Sequence, residues 1–193
     1  VLDGTRKRLI AKYDPSAGAW SPLKTGLDRG STNGFVAAIQ PFDTPAGSRL
    51  IVGGHWNNAD RVPDTRAIAA WDGSDWSSLG AGLVAPQAIW GMAVGDIGAG
   101  ERLYVGGSFP TIGGLPAGGV AAWNGTDWEQ LGAGIGISGT FSPNVFDVIV
   151  FDDGSGPAVY IGGRFDSVDG VPAQYLAKWD GVEGSQVGDG VIS

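Results

Sequence analysis

The sequence predicts an all-β protein built from repeated four-stranded units, and two recurring patterns and one missing pattern lead to that prediction. Glycine pairs recur 53 and then 56 residues apart, at Gly53-Gly54, Gly106-Gly107 and Gly162-Gly163. A Trp-Asp-Gly or Trp-Asn-Gly triplet follows each pair and begins at Trp71, Trp123 or Trp179. No segment shows the sustained apolar period of about 3.6 residues that an amphipathic helix requires. Self-similarity at a nearly fixed period is typical of repeat architectures.

Three further positions keep the same register around the glycine pairs. An acid stands ten residues before each pair, at Asp43, Asp96 and Asp152. An aromatic residue stands three after the first glycine, at Trp56, Phe109 and Phe165, and a proline ten after it, at Pro63, Pro116 and Pro172. A single active site does not need three copies of one acid. We therefore expect the acids to accept hydrogen bonds from amides of the hairpin that follows each of them.

Each unit contains four short runs of strand-forming residues, here called strands a to d. Strand a is predicted at 36–42, 89–94 and 145–151, and strand b at 50–52, 103–105 and 159–161, ending on the glycine pair. Strand c precedes the Trp-Asp-Gly corner, and strand d is predicted at 20–23, 76–79, 128–131 and 186–187. The a-to-b connections have hairpin length, and Asp-Gly or Asn-Gly at the c-to-d corners predicts primed hairpin turns.

A partial unit precedes the first glycine pair, because Tyr13-Asp14-Pro15 and Trp20 match the later c-to-d corners. The predicted organisation is a half unit with strands c and d at 1–30, followed by units at 31–84, 85–137 and 138–193. Four-stranded units of about 40 to 55 residues are the blades of β-propellers, so we predict an open or partial propeller of about three and a half blades. The half unit lacks its inner strands, so we expect either a fragment of a longer ring or association through open edges.

These motifs resemble one known repeat family. The apolar strand ending in Gly-Gly, followed by an aromatic residue and then a tryptophan, is similar to the kelch repeat. The pattern Trp-Asp-Gly-x-x-Trp-x-x-Leu-Gly-x-Gly looks closer still to the kelch-like repeats of secreted or surface bacterial proteins. The resemblance covers nearly the whole chain and implies architecture rather than function, since kelch propellers include binding scaffolds and some oxidases. The oxidases use a copper site with a cross-linked Cys-Tyr, which a chain with no cysteine and one histidine excludes.

Composition narrows the range of partners. Twelve Lys and Arg against twenty Asp and Glu give a net charge of −8, which disfavours nucleic acid and anionic lipid surfaces. Without cysteine, disulfides, thiolate chemistry and cysteine-based zinc sites are excluded. No apolar run reaches membrane length, so no membrane insertion is expected. We predict no cofactor, and an extracellular or cell-surface location with a protein or glycan ligand.

Few residues stand out as candidates for a ligand site. His55 is the single histidine, so a site with two histidine ligands is impossible. Asp152-Asp153-Gly154-Ser155 only partly resembles a calcium loop. Tryptophans at equivalent places in every unit are expected to pack between units. The candidate ligand-contact residues are therefore those that do not repeat or that lie in loops, His55, Trp56, Asn57 and Trp90.

Three functions are compatible with this pattern. We favour a non-catalytic scaffold for structure or protein interaction, because no nucleophile, base and electrophile depart together from the repeat. The alternative is a carbohydrate-binding propeller with sites in the b-to-c loops at 56–66, 110–119 and 166–174. A glycoside hydrolase would need paired acids near the central channel, and Asp147 is the sole acid within the predicted inner strands. No catalytic or metal-binding residue is predicted.

Overall fold

The protein is all-β, as predicted. The computed structural model describes residues 9–28, 34–84, 87–138 and 143–188, and within these ranges it contains strands and turns but no helix. Every pairing between described strands is antiparallel. The predicted unit boundaries fall at or beside the gaps between these ranges.

The strands follow the repeat. The partial unit forms β1 (Ala11–Asp14), β2 (Ala19–Pro22) and β3 (Leu27–Asp28). The first complete unit forms β4 (Phe35–Thr44), β5 (Gly47–His55), β6 (Asn58–Ala59), β7 (Ile68–Trp71) and β8 (Trp76–Ser77). The second forms β9 (Ala88–Asp96), β10 (Glu101–Ser108), β11 (Thr111–Ile112), β12 (Leu115–Pro116), β13 (Val120–Trp123), β14 (Trp128–Gln130) and β15 (Ile135–Gly136). The third forms β16 (Asn144–Asp152), β17 (Pro157–Arg164), β18 (Ser167–Val168), β19 (Val171–Pro172), β20 (Leu176–Trp179) and β21 (Gly184–Gln186).

Each complete unit forms one four-stranded sheet in the predicted order a, b, c, d. Sheet I is β4-β5-β7-β8, sheet II is β9-β10-β13-β14 and sheet III is β16-β17-β20-β21. Among the described strands, β1 and β2 form a separate two-stranded sheet, at the places predicted for the c and d strands of the partial unit. Because consecutive long strands are joined by hairpins, chain neighbours are also neighbours in each sheet. The four-strand repeat read from the sequence is therefore confirmed within the described residues.

The glycine pairs lie inside strand b rather than at its end. Strand β5 continues through Gly53 and Gly54 to His55, and β10 and β17 do the same in their units. A Cβ on Gly54 would lie 2.2 Å from the carbonyl oxygen of Phe35, so only glycine lets the two strands pair this closely. Strand b was predicted to end on the pair, and the structure extends it by one residue, to His55, Ser108 and Arg164.

The c-to-d corners are hairpins, as predicted, but their turns are not of type I′. Trp71 pairs with Trp76, and across the turn the backbone amide of Asp72 donates to the Asp75 carbonyl at 3.1 Å. Of the two residues between them, Gly73 has a positive φ, at 106°, and Ser74 does not, which is the pattern of a type II′ rather than a type I′ turn. The Asp72 side chain also holds the turn, because its Oδ1 accepts the amides of Ser74 at 2.8 Å and Asp75 at 2.7 Å.

Tryptophan side chains join neighbouring sheets. The indole N–H of Trp128 in sheet II donates to the carbonyl of Leu79 after sheet I, at 2.8 Å. Trp76 donates in the same way to Leu23 of the partial unit, at 3.2 Å. Four tryptophans of the c-to-d corners are 8% exposed or less, namely Trp76, Trp123, Trp128 and Trp179. Their predicted role in packing between units is confirmed, whereas Trp20 in β2 is 64% exposed.

Short strands that were not predicted add backbone pairing between units. Strand β3 of the partial unit pairs with β6, and β15 of the second unit pairs with β18 of the third. At each of the three junctions a glycine carbonyl also accepts an amide from the next unit's b-to-c loop. The pairs, donor first, are Asp60 with Gly26 at 2.9 Å, Gly113 with Gly82 at 2.9 Å and Asp169 with Gly134 at 2.9 Å. The b-to-c loops are thereby held against the preceding unit.

Candidate functional site

A β-bulge recurs at the start of strand a in each complete unit and displaces one residue out of the ladder. In sheet II, Ile89 pairs with Gly107 and Gly91 with Gly106, which leaves Trp90 as the extra residue. The same register shift leaves Ala37 unpaired in β4 and Phe146 unpaired in β16. Bulges of this kind often redirect side chains at functional sites. We call these three residues, Ala37, Trp90 and Phe146, the bulge row.

Three aromatic rings cluster beside the bulge row. The Phe35 ring, at the start of β4, stacks on the Trp90 ring with centroids 5.0 Å apart and planes 24° apart. The same Phe35 ring stacks on His55, at 5.9 Å and 25°. Trp90 remains 36% exposed, and Phe146 in the next sheet is 57% exposed. This ring cluster, Phe35, His55 and Trp90, connects sheets I and II at the surface.

Two of the four predicted ligand-contact residues, His55 and Trp90, therefore meet in one place. Phe35, which links them, was not predicted as a site residue, and neither was Phe146. A signal for both existed in the sequence, because Phe35 aligns with Ala88 and Asn144, and Phe146 aligns with Ala37 and Trp90. Many other positions of the units repeat. Variation at these two positions would therefore have indicated Phe35 and Phe146.

The other two predicted residues lie elsewhere. Trp56 is 2% exposed, and its indole N–H donates to the carbonyl of Thr65 at 2.8 Å, so its side chain belongs to the core. Asn57 is exposed. Its backbone amide donates to the Asp28 carbonyl at 2.7 Å, and its side-chain oxygen accepts from Arg66 at 3.2 Å. The structure thus separates these neighbours of His55 from the ring cluster, because the chain turns into the b-to-c loop after β5.

The b-to-c loop of the first unit is held in an unusual backbone conformation. Four residues that are not glycine have positive φ there, namely Asp60, Arg61, Asp64 and Ala67. Thr65 is fully buried and ties the loop together, since its hydroxyl accepts the Ala59 amide at 2.8 Å and donates to the Val62 carbonyl at 2.7 Å. A shallow cleft of about 400 Å³ lies against this loop and includes Asn57, Arg61 and Arg66 in its lining. Its polar walls contain no aromatic ring.

A second cleft lies between sheets II and III. It has a volume of about 340 Å³, and its lining includes Ile97, Tyr104 and Trp179. The carboxylate of Glu129 accepts from Arg102 at 2.8 Å and from Asn124 at 2.7 Å on one wall. Burial raises the pKa of Tyr104 to about 12, so this phenol stays protonated. The Glu129 carboxylate in the lining is already paired with neighbouring side chains.

The repeated acids serve the hairpins, as predicted, in the second and third units. Asp96 accepts the amides of Gly98 at 2.7 Å and Gly100 at 2.9 Å. Asp152 accepts the amides of Gly154 at 2.8 Å and Gly156 at 3.0 Å. In the first unit the hairpin is two residues shorter, and Thr44 holds it by donating to the Gly47 carbonyl at 2.9 Å.

One cluster of titratable groups lies on the outer surface of sheet III. The Asp153 carboxylate accepts from Ser155 Oγ at 2.6 Å, from Tyr160 Oη at 2.6 Å and from Lys178 Nζ at 3.1 Å. These donors, Ser155 foremost, hold the pKa of Asp153 far below its usual range. Asp153 therefore stays ionised and does not donate a proton near neutral pH. Because the same carboxylate binds three protein donors, the cluster is built to hold the hairpin.

Three broader observations complete the description of the site. Within the described ranges, no three His, Asp or Glu side chains come together as a metal-ligand group. Across those same residues, no helix long and apolar enough to cross a membrane is present. No protein-family model, curated protein or solved structure matches the chain.

Proposed function

We propose that the chain is a non-catalytic β-propeller module of kelch-like repeats, which serves as a binding scaffold in an exported or surface bacterial protein. Its blades are sheets I to III and the β1–β2 pair, and its ligand surface is formed by the ring cluster with Phe146. The sequential a-to-d sheets and the backbone pairing between units support the propeller arrangement. The absence of cysteine and the acidic composition are compatible with an exported protein.

The observation that carries the binding role is an exposed aromatic surface at positions where the units differ. Residues that pack the units, such as Trp76 and Trp128, recur from one unit to the next. The bulge row instead changes from Ala37 to Trp90 to Phe146, and two of these three are large and exposed. Exposed aromatic side chains grouped on one surface are typical of interaction sites.

The acids of the inner region support a non-catalytic role. Asp147 lies next to Phe146, and its Oδ1 accepts the amide of Val148 at 2.9 Å. The repeated acids Asp96 and Asp152 bond hairpin amides, and Asp153 is held ionised by three donors. A hydrolase that uses two carboxyl groups needs both of them free to face the scissile bond, whereas each of these carboxylates already accepts a hydrogen bond from the protein itself.

The test is a parallel screen of the purified chain against a glycan array and a displayed-peptide library. We expect Trp90→Ala to weaken every specific interaction and Trp20→Ala, which removes an exposed tryptophan from β2, to leave them unchanged. Interactions equally strong in both variants would place the binding surface elsewhere. Turnover of any bound compound would contradict the non-catalytic assignment.

A further inference from the structure

We infer that the ring cluster and Phe146 form a binding surface for an extended saccharide. The inference rests on the proposed function and specifies the ligand class of the same surface. It follows from the support given to the Trp90 ring, from the mixture of polar groups around it and from the length of the surface.

Trp90 is held rigidly, which lowers the entropic cost of stacking a ligand ring on it. Both neighbours of Trp90 are paired to β10, Ile89 with Gly107 and Gly91 with Gly106. One side of the indole is supported by Phe35, at 5.0 Å. A Cβ on Gly91 would lie 2.7 Å from the Cα of Asp147, so β16 packs directly against the backbone that carries Trp90.

The polar groups beside the rings include hydrogen-bond donors and acceptors of both charges. A Cβ on Gly91 would lie 2.8 Å from Oδ1 of Asp147, so a carboxylate borders the Trp90 backbone. His55 contacts Phe35, and Ser108, at the end of β10, pairs with Ala88. Arg164 ends β17 two positions beyond Gly162, which pairs with Asp147. A surface with this composition can bond hydroxyl groups, which both donate and accept.

The same composition disfavours other ligand classes. An anion would meet Asp147 and a chain with a net charge of −8. A purely apolar ligand would cover the exposed Asp147 side chain without offering it a hydrogen bond, which is unfavourable. A neutral, hydroxyl-rich ring with apolar C–H faces avoids both conflicts.

The length of the surface indicates an oligosaccharide rather than a single sugar ring. The bulge row repeats once in each of sheets I, II and III, and packed sheets lie about 10 Å apart. The surface from Ala37 to Phe146 therefore extends over about 20 Å. His55 and Phe35 lie at its sheet I end, Trp90 at its centre and Phe146 at its sheet III end.

The experiment is affinity gel electrophoresis of the purified chain in gels that contain soluble xylan, mannan or mixed-linkage β-glucan, with tryptophan fluorescence titration by the matching hexasaccharides. We expect at least one polysaccharide to retard the chain and its hexasaccharide to change the tryptophan fluorescence, a change that Trp90→Ala should remove. Trp90→Ala should weaken the affinity by about tenfold or more, the loss typical of an aromatic hot spot. Phe146→Ala should weaken the hexasaccharide more than the matching disaccharide, because it truncates one end of the surface.

Two controls keep the test independent of folding. Trp90→Tyr retains a stacking ring and should restore most of the affinity, and Trp20→Ala should bind as the parent chain does. All variants are compared by circular dichroism and by denaturation. If none of the polysaccharides or hexasaccharides binds while a Trp90-dependent peptide interaction remains, the saccharide inference is overturned and the proposed binding function stands. If Trp90→Ala alters no interaction of any kind, both are overturned.

Discussion

The indole N–H of Trp128 in β14 donates to the carbonyl oxygen of Leu79, a residue of the preceding unit, at 2.8 Å. Trp128 is 7% exposed, and its ring also tilts against Trp123 with centroids 5.1 Å apart. The Trp128 side chain thus bonds a carbonyl of the preceding unit and packs against a ring of its own sheet. It thereby joins the two units. The hydrogen bond should contribute to stability because a buried carbonyl without a partner is costly.

Replacing Trp128 by Phe should lower the free energy of unfolding by about 1 to 2 kcal/mol, because the N–H donor is lost while most of the ring remains. The measurement is urea denaturation followed by circular dichroism. Trp20→Phe is the matched control, since Trp20 is the equivalent residue of β2 and is 64% exposed. An equal loss in both variants would show that the bond to Leu79 contributes nothing.

The buried loop threonine leads to a second prediction. Thr65→Val keeps the shape of the side chain but removes the hydroxyl that accepts the Ala59 amide and donates to the Val62 carbonyl. We expect a loss of about 1 to 3 kcal/mol, because two buried backbone groups lose their partner. Thr65→Ser retains the hydroxyl and should cost clearly less. A Thr65→Val variant that costs no more than Thr65→Ser would show that these two hydrogen bonds contribute little.

Stability should fall as the pH is lowered from about 4 to about 2, because aspartates hold the corner turns. The pKa of Asp72 is lowered to about 2 by the amides of Asp75 and Ser74 and by the Ser74 hydroxyl. The pKa values of Asp180 and Asp14 are lowered too, by the Glu183 amide and the Ser16 hydroxyl respectively. The unfolded chain binds more protons in this range, so the stabilisation is complete above it and is lost on acidification.

The second unit supplies a natural control for this pH effect. Its corner has Asn124 instead of aspartate, and Asn124 Oδ1 accepts the amides of Thr126 at 2.9 Å and Asp127 at 2.8 Å. Asp72→Asn should therefore preserve the turn at neutral pH and reduce the acid sensitivity, whereas Asp72→Ala should weaken the turn at every pH. The melting temperature from pH 7 to pH 2 checks this. An Asp72→Asn variant that loses stability on acidification as steeply as the parent would contradict it.

The repeat made the four-strand order and the buried tryptophans predictable, because residues that pack between units must recur. The type of turn and the ends of the strands were harder to predict from the sequence. Asp72-Gly73 suits a type I′ turn, yet only Gly73 has a positive φ, and the Asp72 carboxylate accepts the amides of Ser74 and Asp75, contacts that the dipeptide alone does not specify. The ring cluster was only half predicted, since the contact between Phe35 and Trp90 joins residues 55 positions apart, and only the bulge geometry brings them together.

The final prediction contrasts two adjacent glycines of the third unit. A Cβ on Gly163 would lie 2.2 Å from the carbonyl oxygen of Asn144, a backbone atom that cannot yield, so Gly163→Ala should cost about 2 kcal/mol or more. A Cβ on Gly162 meets no described atom within 4 Å, and its φ is not positive, so Gly162→Ala should change stability by less than about 1 kcal/mol. In the first unit the equivalent of Gly162 is Gly53, whose Cβ would lie 2.7 Å from Ile89 of the next sheet. Gly53→Ala should therefore be costly although Gly162→Ala is not, and urea denaturation of the three variants measures this ranking. Equal effects at Gly53 and Gly162 would show that the contact with Ile89 is not what restricts this position.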